Sequence, residues 1–391
     1  MLPEFYQFHL PTKVLFGPGI ALDFSRELRE LGAGRYFLVT DKVIGDLGLA
    51  DRVADRLKEE GFDITGSYRD VPQDASIACA EEIAEQARET GAEGLLAIGG
   101  GSVIDAAKAA NFIFTNGGHL IEDYSGAATL SAPLKPLAVI PTTAGTGSEC
   151  TLAAVIYDQE NNTKLSFADQ FLLPNIAVLD PQMTVSMPPM LTASTGMDAL
   201  THAIEAYVGV DASPPSQALG LLAVAYISKN IVQATQDGND LEARGAMLVG
   251  ANLAGISFSH SMVGCVHSMA HATGAVARVP HGIANAILLP HGMAYNLEER
   301  KDQYAELAPF LNKNSKGDGL GDAAHKSIQS VKQITAELNR VCGLPIRLRD
   351  AGVKEDMLPI IAQKAEEDGT AIYNPREVTT EEIMVALKNA F

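Results

Sequence analysis

The sequence predicts an α/β Rossmann-like domain at residues 1–182, followed by an all-helical domain at residues 183–391. The first half alternates short β-rich runs with amphipathic stretches, a pattern typical of a parallel sheet covered by helices. The second half has long Ala-, Leu- and Met-rich stretches at helical spacing and almost no β-rich run. The two patterns meet at "DPQMTVSMPPM" (180–190), where three prolines interrupt the chain. With 391 residues, the chain is also too long for one compact core.

Four short runs of the first half are strand candidates because they are mostly apolar, as strands covered on both faces should be. The amphipathic stretch at 76–90 predicts a helix. In the second half, "ALGLLAVAYI" from Ala218 is about half a membrane span and predicts a buried helix. The polar stretch at 312–322 predicts an exposed loop. The predicted strands are "RYFLVT" (35–40), "GLLAIGG" (94–100), "LAVIPTT" (137–143) and "IAVLD" (176–180).

Composition narrows the class of protein. The net charge of −19 disfavours nucleic acid and anionic membranes as partners. It does not exclude a phosphate-bearing cofactor, which a few local N–H groups can hold. The N-terminus has no basic start and no apolar segment of the kind a signal peptide needs. The cysteines are widely spaced and form no CxxC pattern, so a reducing, cytoplasmic location is expected; they are Cys79, Cys150, Cys265 and Cys342.

Two glycine-rich turns follow predicted strands and favour a phosphate-binding function. In "GLLAIGGGSVIDAAKAA", residues 99–102 stand between a strand and a helix, where a helix start offers free N–H groups to a pyrophosphate. The alternative is a structural turn with Ser102 as the helix N-cap. The second turn, "PTTAGTGSE" (141–149), adds hydroxyl groups. Asp41 ends the first strand and can bind the ribose hydroxyls of an adenosine, although it could equally be a helix cap.

Histidine spacing in the second half favours a metal site. Asp198 and His202 are four residues apart in "GMDALTHAIEAY", as are His267 and His271 in "HSMAHATGAVARVPHG", where His281 follows at a turn. Residues at this spacing share one face of a helix, and oxygen and nitrogen ligands suit Zn²⁺ or Fe²⁺. A single histidine on an apolar helix is more often a core residue. Spacing alone does not decide which of His267 and His271 is the ligand. His260 and His291 are interpreted as structural.

Several motifs in order resemble the iron-containing (group III) alcohol dehydrogenase family. The resemblance runs from "FGPG" at 16–19 almost to the C-terminus. The histidine block is its specific part, since relatives of the dehydroquinate synthase and glycerol dehydrogenase type share the glycine turn. The matching motifs are "GGGSVIDAAK", "PTTAGTGSE", "MPPMLTASTGMDALTHAIEAY", "VHSMAHATGA", "PHGIANAILLPH" and "NPRE" (374–377).

The resemblance implies a role for individual residues. The family's metal ligands, one Asp and three His, match Asp198, His202, His267 and His281. His271 matches the catalytic position near nicotinamide and substrate that is proposed to help proton transfer. Asp41 matches the position that favours NAD over NADP, and Met183 stands where many members have Leu. The other implied cofactor contacts are Asp74, Gly100, Gly101, Ser102, Thr142, Thr143, Thr151 and Lys164.

The implied activity is reversible hydride transfer between NAD(H) and a small primary alcohol or aldehyde, assisted by Fe²⁺ or Zn²⁺ as a Lewis acid. Ala153 replaces the Asn that diol-oxidising members carry, which argues against a dedicated lactaldehyde or 1,2-propanediol role. A diol- or lactaldehyde-type oxidoreductase remains an alternative.

A dehydroquinate synthase-like lyase is disfavoured, because Arg244 and Arg278 are the only cations between residues 230 and 299. A non-catalytic binding protein is disfavoured by the complete ligand set. A homodimer is the family habit.

Overall fold

The structure, a computed structural model, describes residues 3–161, 163–311 and 317–391. The chain divides into two compact units. The first comprises residues 9–143 and 147–186, and the second comprises residues 187–391 together with 144–146 and the N-terminal residues up to Phe8. Of the predicted loop at 312–322, residues 312–316 lie outside the described part, and residues 317–320 are exposed.

The first unit is built on a six-stranded parallel sheet, and it carries a separate antiparallel hairpin. Its strands are β1 (Lys13–Phe16), β2 (Arg35–Thr40), β3 (Asp63–Tyr68), β4 (Gly94–Gly99), β5 (Leu137–Pro141), β6 (Ala153–Asp158), β7 (Thr163–Ala168) and β8 (Ile176–Leu179). The order in the sheet is β1-β8-β5-β4-β2-β3, and β6 pairs with β7. All four predicted strands are confirmed. The sequence analysis missed β1, β3 and the hairpin.

Both faces of this sheet are covered, which explains the mostly apolar strand sequences. Along β2, Phe37 and Val39 belong to one hydrophobic cluster, while Tyr36 and Leu38 belong to a second one. Successive side chains of a strand point to opposite faces, so a strand that is buried on both sides needs an apolar residue at every position. The predicted α/β class of the first unit is therefore confirmed.

Short and medium helices connect these strands. They are α1 (Ser25–Arg29), α2 (Lys42–Asp46), α3 (Leu49–Glu59), α4 (Ile77–Glu89), α5 (Gly101–Asn116) and α6 (Leu120–Tyr124). The helix predicted at 76–90 corresponds to α4, and it begins where the Ser76 hydroxyl accepts a hydrogen bond from the Cys79 N–H at 3.2 Å. Such a side chain satisfies one of the free N–H groups of the first turn.

The second unit is helical, as predicted. Its helices are α7 (Pro189–Val208), α8 (Pro214–Gln236), α9 (Leu241–Ser259), α10 (Cys265–Ala277), α11 (His281–Tyr295), α12 (Lys301–Leu307), α13 (Leu320–Cys342), α14 (Leu358–Glu366) and α15 (Thr380–Ala390). Among the described residues after Leu179, the chain forms no strand. One hydrophobic cluster runs through this unit, and its members come from nearly every helix.

Helix α8 contains the longest apolar run and is buried on one side only. Ala223 and Ile227 are fully buried in the hydrophobic cluster, whereas Leu222 and Tyr226 are 46% and 39% exposed. The prediction of a buried helix was therefore wrong for one face. Judged by length and composition alone, α8 is the one helix within the described ranges that could cross a membrane. Its buried face packs with α7 and α9, as the core helix of a globular unit does.

Candidate active site

Helix α7 places three polar side chains on one face inside the helical unit. Asp198, His202 and Glu205 are spaced at i, i+4 and i+7, which brings them to the same side of a helix. They are 4%, 6% and 4% exposed. Buried charged groups need partners, so the neighbouring helices must supply groups that face this polar strip.

Helix α11 supplies the first of these groups at its first residue, His281. The next residue is Gly282, where a β-carbon would lie 2.5 Å from the carbonyl oxygen of Ser194 on α7. Only glycine permits this close approach of the two backbones. As a result, His281 Nε2 lies 3.3 Å from Asp198 Oδ1.

Helix α10 supplies the second group, His267. Its Nε2 lies 3.9 Å from Asp198 Oδ1, and its ring centroid lies 5.3 Å from that of His281. One ligand atom each of Asp198, His267 and His281 falls within 4.8 Å of the others. A carboxylate oxygen and two imidazole nitrogens at such spacing form a group that can hold a divalent cation.

His202, the fourth predicted ligand, lies beside this group but is not one of its three members. Its ring stacks on the His267 ring at a centroid distance of 4.6 Å and on the Phe258 ring at 4.4 Å. Among the described residues, the buried Nδ1 of His202 finds no hydrogen-bond partner. An unpartnered buried imidazole nitrogen is costly in a folded protein. His202 could therefore accept a further ligand or hydrogen-bond partner beside the three-residue group.

The electrostatics of the cluster fit a cation. Burial lowers the pKa of His202 to about 3 and that of His267 well below its ordinary value, so both imidazoles are neutral near pH 7. Burial by itself raises the pKa of Asp198, but the surrounding His202, His281 and His267 outweigh it and lower that pKa overall. An ionised carboxylate beside neutral imidazoles is the protonation state that metal binding requires.

His271, the predicted proton-transfer residue, lies at the edge of the cluster. Its ring stacks on the His281 ring with centroids 5.2 Å apart and an interplanar angle of 19°. Its Nδ1 lies 3.0 Å from Asp368 Oδ2, and its side chain is 42% exposed. The structure therefore brings His271 next to the candidate ligands while leaving it open to solvent.

Three residues of this cluster were not found from the sequence. Glu205 contacts His267, Asn285 contacts Asp198, and Asp368 contacts His271. Spacing could have indicated Glu205, at i+7 from Asp198, and Asn285, at i+4 from His281. Asp368 follows His271 by 97 residues and carries no local signal.

The first glycine turn lies in the α/β unit between β4 and α5. A β-carbon at Gly99 would lie 2.5 Å from the Val103 side chain, so only glycine permits this tight strand-to-helix connection. The N-cap of α5 is Gly100 and Gly101 is the first helical residue, so the alternative reading of Ser102 as N-cap was wrong. The Ser102 hydroxyl donates instead to the backbone carbonyl of Gln73.

Two of the other predicted cofactor contacts pair with each other, and a third caps a helix. Lys164 Nζ lies 2.7 Å from Asp74 Oδ1, and both side chains are more than half exposed. Asp41 is the N-cap of α2, where its Oδ1 accepts from the Ile44 N–H at 2.9 Å. Asp41 therefore caps a helix, as the sequence analysis allowed. This capping bond uses one of its two carboxylate oxygens.

Three of the remaining predicted contacts are buried, and Thr143 is partly buried. Thr142 and Thr151 are each 3% exposed and Met183 is 5% exposed, so only a small part of each side chain could meet a ligand. Thr143 lies against Gly100, where a β-carbon on the glycine would come within 3.3 Å of the threonine methyl group.

Lys108 of α5 is a fully buried lysine that the sequence analysis did not single out. Its Nζ donates to the carbonyl and hydroxyl oxygens of Thr151, at 2.8 and 3.0 Å, and to the carbonyl of Ala153 at 2.9 Å. Burial lowers the pKa of Lys108 to about 8. These bonds fix the segment that carries Thr151 and Ala153.

Fold and cluster together define a class of protein: an α/β unit with a glycine turn, joined to a helical unit with an aspartate–histidine metal group. Comparison with known proteins identifies the family. Residues 11–181 match the family described as iron-containing alcohol dehydrogenase, and residues 192–391 match its C-terminal region. The chain belongs to the iron-containing alcohol dehydrogenase family.

Two curated relatives and one solved structure illustrate this membership. The chain is 35% identical to the NAD-dependent methanol dehydrogenase of Bacillus methanolicus, over 98% of this chain and 99% of the relative. It is also 35% identical to the 1,3-propanediol dehydrogenase of Citrobacter freundii, over 99% of each chain. A crystal structure of 1,3-propanediol oxidoreductase superposes with a TM-score of 0.95 at 34% identity, covering 99% of this chain and 100% of the other.

Proposed function

We propose that this protein is a metal- and NAD-dependent alcohol dehydrogenase that interconverts small primary alcohols and their aldehydes. The observation that carries the proposal is the convergence of Asp198, His267 and His281 on one point within the helical unit. Membership of the alcohol dehydrogenase family supplies the reaction class.

The residues that would hold the cation are Asp198, His202, His267 and His281. When bound, Fe²⁺ or Zn²⁺ supplies Lewis acidity toward an alcohol or carbonyl oxygen. Fe²⁺ and Zn²⁺ both accept carboxylate oxygen and imidazole nitrogen as ligands, so either metal suits this site. Asp198 and His267 are almost fully buried, while His281 is 37% exposed on its side chain. The cluster is therefore open on the side where a substrate oxygen has to enter.

His271 is the residue that moves the proton of the substrate hydroxyl. With Nδ1 donating to the Asp368 carboxylate, its Nε2 has a free lone pair and can accept a proton. Imidazole is suited to this task because it exchanges protons near neutral pH. In aldehyde reduction the same imidazole returns the proton.

The α/β unit would bind NAD through the turn at residues 99–102. The start of α5, a helix of 16 residues, offers its free N–H groups to the pyrophosphate. Asp41 has one carboxylate oxygen outside its capping bond, which can accept from the ribose hydroxyls and would repel a 2′-phosphate. NAD supplies the hydride acceptor of the reaction.

The substrate class follows from Ala153 and from the relatives. An apolar residue at this position favours a simple alcohol without a second hydroxyl. A diol substrate remains the second candidate, because the chain is as similar to a 1,3-propanediol dehydrogenase as to a methanol dehydrogenase.

We further propose a cytoplasmic homodimer that binds neither nucleic acid nor membrane. The net charge of −19 supports the absence of such polyanionic partners. Strand β1 is at one edge of the sheet, and its Val14 and Phe16 are 37% and 52% exposed. An edge strand with exposed apolar side chains is a typical place for a second copy to bind. Light scattering on the purified protein measures the oligomeric state.

The function is tested by metal analysis of anaerobically purified protein, followed by assays with a panel of alcohols and aldehydes and both NAD and NADP. We expect about one Fe²⁺ or Zn²⁺ per chain and NADH absorbance with butanol. A metal-loaded protein that produces no NADH from any alcohol of the panel would contradict the proposal. Turnover of a phosphorylated sugar acid without net NADH formation would favour the lyase alternative.

A further inference from the structure

We infer that Glu205 is a positioning residue of the metal centre: its carboxylate holds His267 in the tautomer whose Nε2 lone pair faces Asp198 and His281. This inference rests on the proposed function, because it concerns the same cation. Glu205 is on α7, one helical turn beyond His202, and it is 4% exposed.

The carboxylate of Glu205 accepts hydrogen bonds from the start of α10. Oε1 accepts from the Val266 N–H at 2.7 Å, and Oε2 accepts from the His267 N–H at 3.3 Å. The same Oε2 lies 2.6 Å from His267 Nδ1. One side chain therefore fixes both the backbone and the ring of His267.

The carboxylate form of Glu205 is the form that suits these contacts. Both oxygens already accept backbone hydrogen bonds at a helix N-terminus, which favours negative charge. An acceptor at 2.6 Å requires His267 Nδ1 to carry the proton, so Nε2 keeps its lone pair.

Asn285 provides an independent observation on the other side of the ring. Its Nδ2 lies 2.6 Å from Asp198 Oδ1 and 3.0 Å from His281 Nε2. An amide oxygen in that place would face the Asp198 carboxylate, so the NH₂ group must point there. The same Nδ2 lies 3.4 Å from His267 Nε2. The two hydrogens of this NH₂ group are directed at the two nearer acceptors, and a proton on His267 Nε2 would face the NH₂ nitrogen, so the contact agrees with an unprotonated Nε2, as the Glu205 contact requires.

Replacement of Glu205 by glutamine separates the hydrogen-bond pattern from the size of the side chain. Glutamine has one acceptor and one NH₂ group, so at least one donor of the α10 start would face another donor. If the NH₂ group faces His267, Nδ1 must become the acceptor and the proton moves to Nε2. Groups that orient a ligand histidine typically contribute about 10- to 100-fold to metal affinity.

Asn374 offers a matched control at the same helix end. Its Oδ1 accepts from the Cys265 N–H at 3.1 Å, one residue before Val266. Within the part of the chain that the structure describes, its other side-chain partners are Asn296 and Arg376, and the His267 ring is not among them. Asn374→Ser therefore loosens the start of α10 and leaves the imidazole partner in place.

The experiment measures the affinity for Zn²⁺ alone by competition with a chelator, in the wild-type protein, in Glu205→Gln and in Asn374→Ser. We expect about a 10- to 100-fold loss for Glu205→Gln and an affinity near that of the wild type for Asn374→Ser. Equal affinities of Glu205→Gln and wild type would overturn the inference. Equal losses of affinity in both variants would show that Glu205 only holds the start of α10 in place, and this result would overturn the inference as well.

A second measurement does not depend on the folding of any variant. In metal-free wild-type protein labelled with ¹⁵N-histidine, the His267 resonances report which nitrogen is protonated. We expect protonation at Nδ1, and protonation at Nε2 would refute the inference. If the wild-type protein itself binds no Zn²⁺, Fe²⁺ or Co²⁺, the proposed metal centre fails, and the inference fails with it. That result differs from a failure confined to Glu205, in which wild-type binding is intact.

Discussion

The imidazole of His271 and the carboxylate of Asp368 form a hydrogen-bonded pair, with Nδ1 and Oδ2 separated by 3.0 Å. Asp368 is itself held in place, because its Oδ1 accepts from the N–H and the hydroxyl of Thr370. Through this pair, a residue late in the chain sets the orientation of the imidazole next to the candidate ligands. The burial of Asp368 raises its pKa, but the contact with His271 and the bonds from Thr370 lower it overall, so the carboxylate is ionised.

Asp368→Asn should lower kcat by about 10- to 100-fold, because the imidazole loses its negatively charged partner. The asparagine oxygen can still accept from Thr370, so the local fold is expected to persist. Steady-state kinetics at saturating NAD would show a fall in kcat with little change in KM. A variant with wild-type kcat would show that Asp368 has no role in orienting His271.

His267→Ala should remove tight metal binding and activity together. The substitution deletes one of three ligand atoms that lie within 4.8 Å of one another. Loss of a ligand should weaken affinity by more than about 100-fold, since even outer partners are worth about 10- to 100-fold. Elemental analysis and NADH absorbance test this, with His260→Ala as the control. Full metal content and turnover in His267→Ala would remove His267 from the ligand set.

Asp41→Gly should narrow the preference for NAD over NADP. Its carboxylate is expected to repel the 2′-phosphate of NADP. Because Asp41 also caps α2, the glycine variant loses a cap as well. Asp41→Asn keeps a capping oxygen and lacks the charge, so it should shift the ratio of kcat/KM values in the same direction. An unchanged ratio in both variants would place Asp41 outside the adenosine site.

Ala153→Asn should shift substrate preference toward diols. An asparagine there could bond to a second hydroxyl, and one hydrogen bond is worth about 1 kcal/mol, or roughly fivefold in relative kcat/KM. The backbone position should not change, because the Lys108 bond goes to the carbonyl of residue 153. Competing 1,2-propanediol against 1-propanol measures the shift. No change in the ratio would mean that residue 153 does not meet the substrate.

His291→Gln should reduce the loss of stability at acid pH. Burial, with a contribution from Lys332, lowers the pKa of His291 to about 4, against about 6.5 in an unfolded chain. Between these values the unfolded state binds more protons, so stability falls as pH drops from 6.5 toward 4. Urea unfolding at pH 7.5 and 5.0 should show a drop smaller by about 1–2 kcal/mol in the variant. An equal drop in both proteins would contradict this.

Much of the fold could be predicted from sequence because burial constrains residue type. Strands β2, β4, β5 and β8 are covered on both faces and are therefore mostly apolar; in β2, only Arg35 and Thr40 at its two ends are polar. Strand β1 is at the edge, and β3 carries polar residues at partly buried positions, so neither shows this pattern. The hairpin was also missed: β6 alternates more and less buried positions without alternating residue type, and β7 alternates polar and apolar residues only over its middle four positions.

The residues of the candidate site also fall into those with a local sequence pattern and those without one. Helical spacing indicated two pairs, Asp198 with His202 and His267 with His271, and the match to the family motifs added His281 and selected His267 as the ligand. Glu205 and Asn285 lie at helical spacing from predicted ligands, but their partners His267 and Asp198 are on other helices, 62 and 87 residues away. Asp368 lies between two helical segments, 97 residues from His271. No local pattern specifies which segments of the chain meet, so these contacts required the three-dimensional structure.

The uneven burial of the cluster has a consequence for ion exchange. Asp198 and His267 are almost completely enclosed, and each is anchored by a further side chain, whereas His281 reaches the surface. A chelator arriving from solvent would meet His281 before it could reach the other two. If this group holds an ion, its release would begin at the His281 imidazole, while Asp198 and His267 would keep their buried positions for the next ion.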